Sequence, residues 1–235
     1  NFYSPEAVQV FRAHYYGLVT FQDAMIGRVM DFLRQTGQAE NTVVLYTADH
    51  GDLIGDYGGC FKCNFQVGSV GVPLIVSAPG RAPSGRSSDA LAGLQDVLPT
   101  LASLAGVSLP YPTDGKDLTP ALHGDGRLRE VYIAHCLHSP WQSYMALDAR
   151  WKYIYSETNG VEELYDVQND PQELRNLIPE GVASDVARRL RREIIRWCAE
   201  NGDTEMLDGH DLKRTEMKVE ELCHFQPTSL GWRWY

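Results

Sequence analysis

The segment Asn41–Gly80 reads NTVVLYTADHGDLIGDYGGCFKCNFQVGSVGVPLIVSAPG and carries the main fold signal of this 235-residue chain. It opens with a β-branched, aromatic and apolar run at residues 42–48. A continuous apolar run of this length, placed after a helix, predicts a buried parallel strand. A polar, glycine-rich loop follows, and residues 70–77 form a second strand candidate. Pro73 inside that candidate predicts an edge strand or an irregular start.

A long helix is predicted before this segment, at residues 4–36. Ser4 is a suitable N-cap, Pro5 suits the first helical position, and Gly37 is a natural stop. The apolar residues recur at steps of three, four and seven, so they share one helical face: Val8, Phe11, Tyr15, Leu18, Met25, Val29 and Phe32. A shorter helix is predicted after the segment, at residues 94–105.

The pattern changes near residue 125, where short strand candidates replace the alternation of strand and helix. The dipeptide Asn159-Gly160 predicts a hairpin turn. Residues 181–200 predict a basic amphipathic helix, whose arginines we expect on a solvated face. The strand candidates are residues 131–135, 143–147 and 151–155.

These patterns predict an α/β fold class, part of a doubly wound sheet followed by a small α+β subdomain with an antiparallel sheet. The expected boundaries are 1–125 for the α/β part, 126–203 for the subdomain and 204–235 for an aromatic tail. Four aromatic residues stand in positions 225–235. We expect the tail to cover the loop after residue 48, a neighbouring subunit or the helix at 181–200, because exposed rings are costly.

The composition narrows the classes of partner. The net charge of −10 argues against nucleic acid, which binds basic surfaces. No apolar run approaches the roughly 18 residues that a membrane span needs. Five cysteines without a disulfide pattern favour a reducing compartment, the cytoplasm rather than the periplasm or the exterior.

Asp49 and His50 follow the first strand candidate directly. In open α/β sheets, ligands bind beyond the carboxyl ends of the strands. A carboxylate and an imidazole fixed there can hold a divalent cation, although two side chains cannot complete its coordination sphere. The simpler alternative is a polar turn in which Asp49 caps the loop.

Lys62 lies thirteen residues after Asp49, in a loop rich in glycine. Glycines let the backbone approach a ligand closely, and a lysine there can balance the charge of a sulfate or phosphate oxygen. The alternative is a solvated surface lysine. Cys60 and Cys63 flank Lys62 as a Cys-x-x-Cys pair, which is typical of a redox or zinc site or is a plain thiol pair.

The segment Asn41–Gly80 resembles the block of the sulfatases that runs from a strand through Asp-His-Gly-Asp/Glu to a lysine and Val-Pro-Leu-Ile-Val. The resemblance extends over about residues 12–200. It includes four further motifs: the helix motif at 15–28, Asp-Val-Leu-Pro-Thr-Leu at 96–101, Trp-Lys-Tyr-Ile at 151–154, and the hairpin and loop at 163–177.

This resemblance implies the C-terminal half of a type I sulfatase, within an alkaline-phosphatase-like sheet. Asp49 and His50 would be metal ligands and Lys62 would bind the sulfate ester. Related enzymes use Ca²⁺, or Mn²⁺ in phosphonate-hydrolysing members. Their nucleophile is a formylglycine made from Cys/Ser-x-Pro/Ala-x-Arg, which we expect upstream, in a missing N-terminal half or a partner chain.

The expected substrate is a small-molecule or saccharide sulfate ester, and a homo-oligomer is left open. Two alternatives remain. One is a phosphonate or phosphate ester hydrolase of the same superfamily, and the other is a non-catalytic binding or assembly module.

The chain departs from the family pattern where the site would open to solvent. Tyr57 replaces the usual histidine, Gln66-Val67-Gly68 replaces aromatic-Glu-Glu, and Gly71 replaces arginine. These positions therefore do not indicate a substrate class. Residues 77–81, Ser-Ala-Pro-Gly-Arg, fit the Ser-type modification motif, but their position indicates an ordinary Pro-Gly turn after a strand.

Overall fold

A computed structural model describes residues 4–124, 126–138 and 141–218 of the chain. Contacts between residues divide the chain between Tyr132 and Ile133 into a first and a second unit. The sequence places the corresponding change at residue 125. Residues 204–218 belong to the second unit. The aromatic tail at 225–235, with its predicted docking, lies outside the described residues.

Helix α1 spans Pro5–Gln35 and confirms the predicted long helix. The Ser4 hydroxyl accepts the Ala7 N–H at 3.2 Å, so Ser4 is the N-cap. Gly37 adopts the left-handed region at φ 69°, where glycine is favoured, and ends the helix. None of the 31 residues of α1 is buried. Five large apolar side chains along one side are half exposed or more: Val10, Leu18, Phe21, Val29 and Phe32.

Two short strands follow in the first unit, β1 at Val44–Thr47 and β2 at Leu74–Ser77. They pair antiparallel, with Val44 opposite Ser77 and Thr47 opposite Leu74. The prediction of a buried parallel strand is wrong on both counts, because β1 pairs antiparallel with β2 and is only half buried. The apolar run did not distinguish the two pairings. A parallel pair needs a crossover connection, usually a helix, whereas this connection carries only a 3₁₀ turn at Asp56–Gly58 and one α-helical turn, α2 at Val67–Val70.

The second predicted strand, residues 70–77, begins later in the structure than the sequence indicates. Residues Val67–Val70 form α2, and β2 begins only after Pro73. The Val70 N–H donates to the Gln66 carbonyl at 3.1 Å, which closes the helical turn. Proline lacks the N–H that a ladder needs, so the strand starts beyond it.

Helices α3 at Val97–Ala105 and α4 at Thr119–Leu122 complete the first unit. A 3₁₀ turn at Leu94–Asp96 precedes α3. The fully buried Asp96 carboxylate accepts both Nη atoms of Arg129 at 2.7 Å and the Lys116 N–H at 2.8 Å. Burial alone would raise the pKa of Asp96, but these hydrogen bonds outweigh it and hold the pKa below its ordinary value.

The second unit is built on a four-stranded sheet in the order β3-β4-β5-β6. The strands are β3 Tyr132–His138, β4 Trp141–Leu147, β5 Trp151–Ser156 and β6 Val161–Asp166. Both β4–β5 and β5–β6 pair antiparallel, as the sequence predicted. Residues 157–160 connect β5 to β6, and Asn159 and Gly160 in this loop have φ values of 59° and 61°, so the predicted hairpin turn is confirmed.

Helix α5, Ser184–Glu200, packs its apolar side on β4 and β5. The core between them contains side chains with no exposed surface: Tyr144, Tyr153, Leu164, Leu190 and Ile194. The prediction that all arginines of α5 lie on a solvated face is wrong for Arg191. Its guanidinium lies 2.7 Å from Asp211 and 3.3 Å from Glu162, and stacks over the Tyr155 ring.

Two further short strands, β7 Leu207–Asp208 and β8 Asp211–Leu212, close the second unit. The Tyr155 hydroxyl donates to the Lys213 carbonyl at 2.8 Å, and the Thr215 N–H donates to the Glu157 carbonyl at 3.0 Å. These residues therefore brace the β5–β6 hairpin.

Candidate functional site

The carboxyl end of β1 presents Asp49 and His50 in the first unit. The Asp49 side chain is 85% exposed and that of His50 is 39% exposed. The His50 N–H donates to Asp49 Oδ1 at 3.0 Å, so the two residues form a compact pair. The polar-turn alternative describes part of this geometry, because Asp49 does cap the start of the loop.

The His50 ring is held in one orientation. Its Nδ1 lies 2.7 Å from the Gly51 carbonyl oxygen, which can only accept, so Nδ1 carries the proton of the neutral ring. Nε2 then presents its lone pair, and it lies 3.5 Å from Asp49 Oδ2. This is the arrangement that a backbone carbonyl imposes on metal-binding histidines.

The spacing of these two donor atoms fits a shared cation. Ligands at about 2.1–2.5 Å from a cation and about 90° apart are separated by roughly 3.0–3.5 Å. Asp49 Oδ2 and His50 Nε2 meet that condition at 3.5 Å. Within the described residues, no group of three or more His, Cys, Asp or Glu side chains could hold a metal ion. A complete site thus needs ligands beyond this pair.

The stretch after the pair is fixed by the segment around α2. The Gly51 N–H donates to the carbonyl of Ser69 at 2.7 Å, and Ser69 is 2% exposed. A Cβ at Gly51 would overlap the Gly68 carbonyl. Only glycine fits at position 51, so the backbone beside His50 has a single packed arrangement.

The loop that carries Lys62 is closed through Asp52. Asp52 Oδ1 accepts the Ile54 N–H at 3.1 Å and the Phe61 N–H at 2.9 Å. The Leu53 N–H donates to the Phe61 carbonyl at 2.8 Å. Both backbone polar groups of Phe61, the residue before Lys62, are therefore bonded to residues 52–53.

Backbone strain is concentrated in this loop. Ile54, Tyr57, Phe61 and Cys63 adopt positive φ values of 41°, 54°, 72° and 80°. Such conformations cost on the order of 1–3 kcal/mol for a residue with a side chain, and they cluster at functional sites. Lys62 stands between two of these residues, so its backbone direction is set by a conformation that the loop must enforce.

Helix α1 supports the loop from outside. Arg12 Nε donates to the Ile54 carbonyl at 2.8 Å and its Nη2 lies 2.7 Å from Asp56 Oδ1. The Phe11 ring meets the Phe61 ring edge-on, with centroids 6.4 Å apart. No pattern in the sequence indicates this support, since the periodicity places Phe11 only on an apolar helical face.

The structure brings Asp49 and His50 together, as the metal prediction requires. It ties the backbone next to Lys62 to Asp52, three residues beyond Asp49. The position of the Lys62 amine relative to a bound anion stays a prediction. Sequence reasoning missed Asp52, although the acidic residue of Asp-His-Gly-Asp was the available signal. Cys60 and Cys63 are free thiols, and Cys63 is exposed.

Comparison with known protein families finds two matches, which together extend over residues 2–200. Residues 2–107 match the family described as sulfatase. Residues 55–200 match the family described as N-sulphoglucosamine sulphohydrolase, C-terminal. A choline-sulfatase of Rhizobium meliloti (strain 1021) is 37% identical over 177 residues, which are 73% of this chain and 34% of that protein. The chain thus spans about a third of the length of this relative.

Solved structures share the fold. The phosphonate monoester hydrolase SpPMH from Silicibacter pomeroyi aligns with a TM-score of 0.75 at 28% identity, covering 84% of this chain and 42% of that one. BT4656, solved in complex with its substrate D-glucosamine-2-N,6-O-disulfate, aligns with a TM-score of 0.71 at 25% identity, covering 78% and 39%. The α/β fold class is thereby confirmed. No helix in the described part of the chain has the length and apolarity of a membrane span.

Proposed function

Because the chain belongs to the sulfatase family, within the alkaline-phosphatase superfamily, we propose that the protein to which it contributes is a sulfuric ester hydrolase. The observation that carries the proposal is the donor pair at the end of β1, with Asp49 Oδ2 and His50 Nε2 3.5 Å apart. A loop closed by Asp52 then leads from this pair to Lys62.

In this proposal, Asp49 and His50 supply two ligands of a divalent cation. Ca²⁺ is the expected ion and Mn²⁺ the alternative, because the carboxylate oxygen favours Ca²⁺ whereas the imidazole nitrogen leaves the choice of ion open. When bound, the metal supplies Lewis-acid compensation of the sulfate charge. Formylglycine is the proposed nucleophile and would come from the part of the protein outside this chain.

Lys62 is proposed as the catalytic cation of the chain. Its ammonium would bind an oxygen of the sulfate group and stabilise the charge that develops as the ester bond breaks. The closed loop holds the backbone of Lys62 before substrate arrives, so little reorganisation is needed on binding.

The proposed substrate class is a small-molecule or saccharide sulfate monoester. One relative is a choline-sulfatase, and one structural neighbour was solved with a disulfated glucosamine. A sulfate ester of choline and a disulfated glucosamine share the sulfate group and differ in the rest of the molecule. The shared sulfate group is therefore what the proposal names.

A second candidate is hydrolysis of phosphonate or phosphate esters. The similarity to a phosphonate monoester hydrolase, with a TM-score of 0.75, favours it. The donor pair and Lys62 suit either tetrahedral anion, because each offers charge rather than a shape specific to sulfur.

The test compares nitrophenyl sulfate with a matched nitrophenyl phosphonate ester, using the full-length protein. Lys62→Ala is expected to lower kcat/KM for the preferred ester about 100- to 1,000-fold, as the loss of a preorganised charge does. Lys116→Ala is the matched control, since its ammonium donates to the Leu128 carbonyl on the surface of the same unit. Preference for the phosphonate ester would support the second candidate, and turnover of neither ester would support a non-catalytic module.

A further inference from the structure

Asp52 lies in the sequence between the donor pair and Lys62, and its carboxylate bonds the backbone of the loop that carries Lys62. It follows His50 by two residues, and its carboxylate accepts the N–H of Phe61 at 2.9 Å. We propose that Asp52 is a positioning residue that sets the direction of Lys62 relative to Asp49 and His50. This inference rests on the sulfatase function proposed above, and it assigns Asp52 no contact with substrate or metal.

The hydrogen bonds explain why the loop needs this carboxylate. One oxygen, Oδ1, receives the N–H groups of Ile54 and Phe61, at 3.1 and 2.9 Å. Bonds to a carboxylate are charge-assisted and roughly twice as strong as bonds between neutral groups. They oppose the strain at Ile54 and Phe61, which both hold positive φ values.

The consequence for Lys62 follows from chain connectivity. The Phe61 N–H donates to the Asp52 carboxylate, and the Phe61 carbonyl accepts the N–H of Leu53. Since Leu53 is 4% exposed, this bonding is anchored in the interior of the first unit. Loss of the carboxylate would free Phe61 to leave its left-handed conformation, and the peptide that starts Lys62 would turn with it.

Substitutions separate the positioning role from general support of the fold. Asp52→Asn keeps an oxygen that can accept both N–H groups, whereas Asp52→Ala removes the acceptor. Asp31→Asn is the control, because it removes a carboxylate of the same unit whose partner is Arg34, on the surface of α1 and outside the loop. A misplaced catalytic group costs on the order of 100-fold in rate.

The first measurement is kcat/KM for the preferred ester in the full-length protein. Asp52→Ala is expected to lower it about 10- to 100-fold, with Asp52→Asn retaining most of it and Asp31→Asn close to wild type. In a Lys62→Ala background, Asp52→Ala should have less than about a threefold further effect, because coupled residues are not additive. Equal losses in both backgrounds would show general support and overturn the inference.

The second measurement does not depend on turnover. Acetic anhydride modifies lysines, and peptide mass spectrometry reads the rate at Lys62 in the presence of inorganic sulfate. We expect sulfate to protect Lys62 in the wild type and in Asp52→Asn, and the half-protecting concentration to rise at least about tenfold in Asp52→Ala. Protection that is the same in Asp52→Ala, or absent in the wild type, overturns the inference. A wild type that turns over neither ester contradicts the proposed function instead, and the protection data still decide the role of Asp52.

Discussion

Lys152 and Glu173 form an ion pair whose side chains are only 4% and 1% exposed. Lys152 lies on β5, and Glu173 lies in the loop after β6, at a positive φ of 55°. Burial lowers the pKa of Lys152, and the adjacent Glu173 carboxylate opposes this shift by favouring the charged amine. The pair ties a strained loop to the centre of the second unit.

Glu173→Ala is expected to lower the free energy of unfolding by about 3–5 kcal/mol, because it leaves the Lys152 charge buried without its carboxylate. Urea denaturation followed by tryptophan fluorescence measures the change. Glu200→Ala is the control, since its carboxylate pairs with Arg196 on the surface, and we expect a loss below about 1 kcal/mol. Adding Lys152→Met to Glu173→Ala should restore part of the stability, and equal effects of Glu173→Ala and Glu200→Ala would contradict the prediction.

Asp96 is expected to make stability depend on pH in the acid range. Its folded-state pKa lies below the ordinary value, so its contribution is fully present above the unfolded pKa of about 4 and is lost as pH falls through the folded pKa. Asp96→Asn should cost about 3–5 kcal/mol at pH 7, since it leaves Arg129 largely buried without a counter-charge. The unfolding free energy of the variant should also fall less steeply between about pH 5 and pH 2. Parallel pH curves for the variant and the wild type would count against this role.

The thiols are expected to differ strongly in reactivity. Cys198 has no exposed surface, and burial together with the nearby Asp203 carboxylate raises the pKa of its thiol to about 11. About one molecule in a thousand would carry the thiolate at pH 8, so alkylation should be slow. Cys63 is exposed and should react with iodoacetamide at least about 100-fold faster. Peptide mass spectrometry measures the alkylation rate at each cysteine. As a control, Cys63→Ser should remove the fast reaction. Similar rates at the two cysteines in the native protein would refute the prediction.

The 235-residue chain on its own is expected to show no turnover of nitrophenyl sulfate. Charge stabilisation and positioning without a nucleophile leave little catalysis. Calorimetry should find Ca²⁺ binding weaker than about micromolar, because the pair Asp49 and His50 falls far short of the six to eight ligands that Ca²⁺ takes. Sub-micromolar binding, or turnover that Lys62→Ala abolishes, would show that the chain contains more of the site than the proposal assigns to it.

Local signals in the sequence predicted the elements well where one residue type decides the geometry. Ser4 and Gly37 bound α1, and the Asn159-Gly160 turn joins β5 to β6, because each choice is set by one cap or one backbone conformation. The pairing of β1 was not predictable in the same way. Apolar content reports burial and does not report strand direction, which depends on how the connection returns.

In the candidate site too, local signals were predictable from the sequence and distant contacts were not. Asp49, His50 and Lys62 stand out because their residue types fit the chemistry. Asp52 accepts a backbone N–H nine residues away, and its place in the Asp-His-Gly-Asp motif does not by itself reveal that contact. The same holds for Arg12, whose guanidinium reaches across 42 residues to the carbonyl of Ile54.

The sheet of the second unit joins each strand to its neighbour in the sequence, in the order β3-β4-β5-β6. A meander of this kind has low contact order, since hairpins form between residues that are close along the chain, and low contact order speeds folding. We therefore expect the stretch from β4 through α5 to form early in folding. The loop that holds Lys62 must instead wait for closure between segments far apart, from Arg12 to Ser69. In pulse-labelling hydrogen exchange during refolding, we expect the amides of β4 and β5 to become protected before those of Gly51 and Phe61. The sheet of the second unit would then form before the loop that carries Lys62.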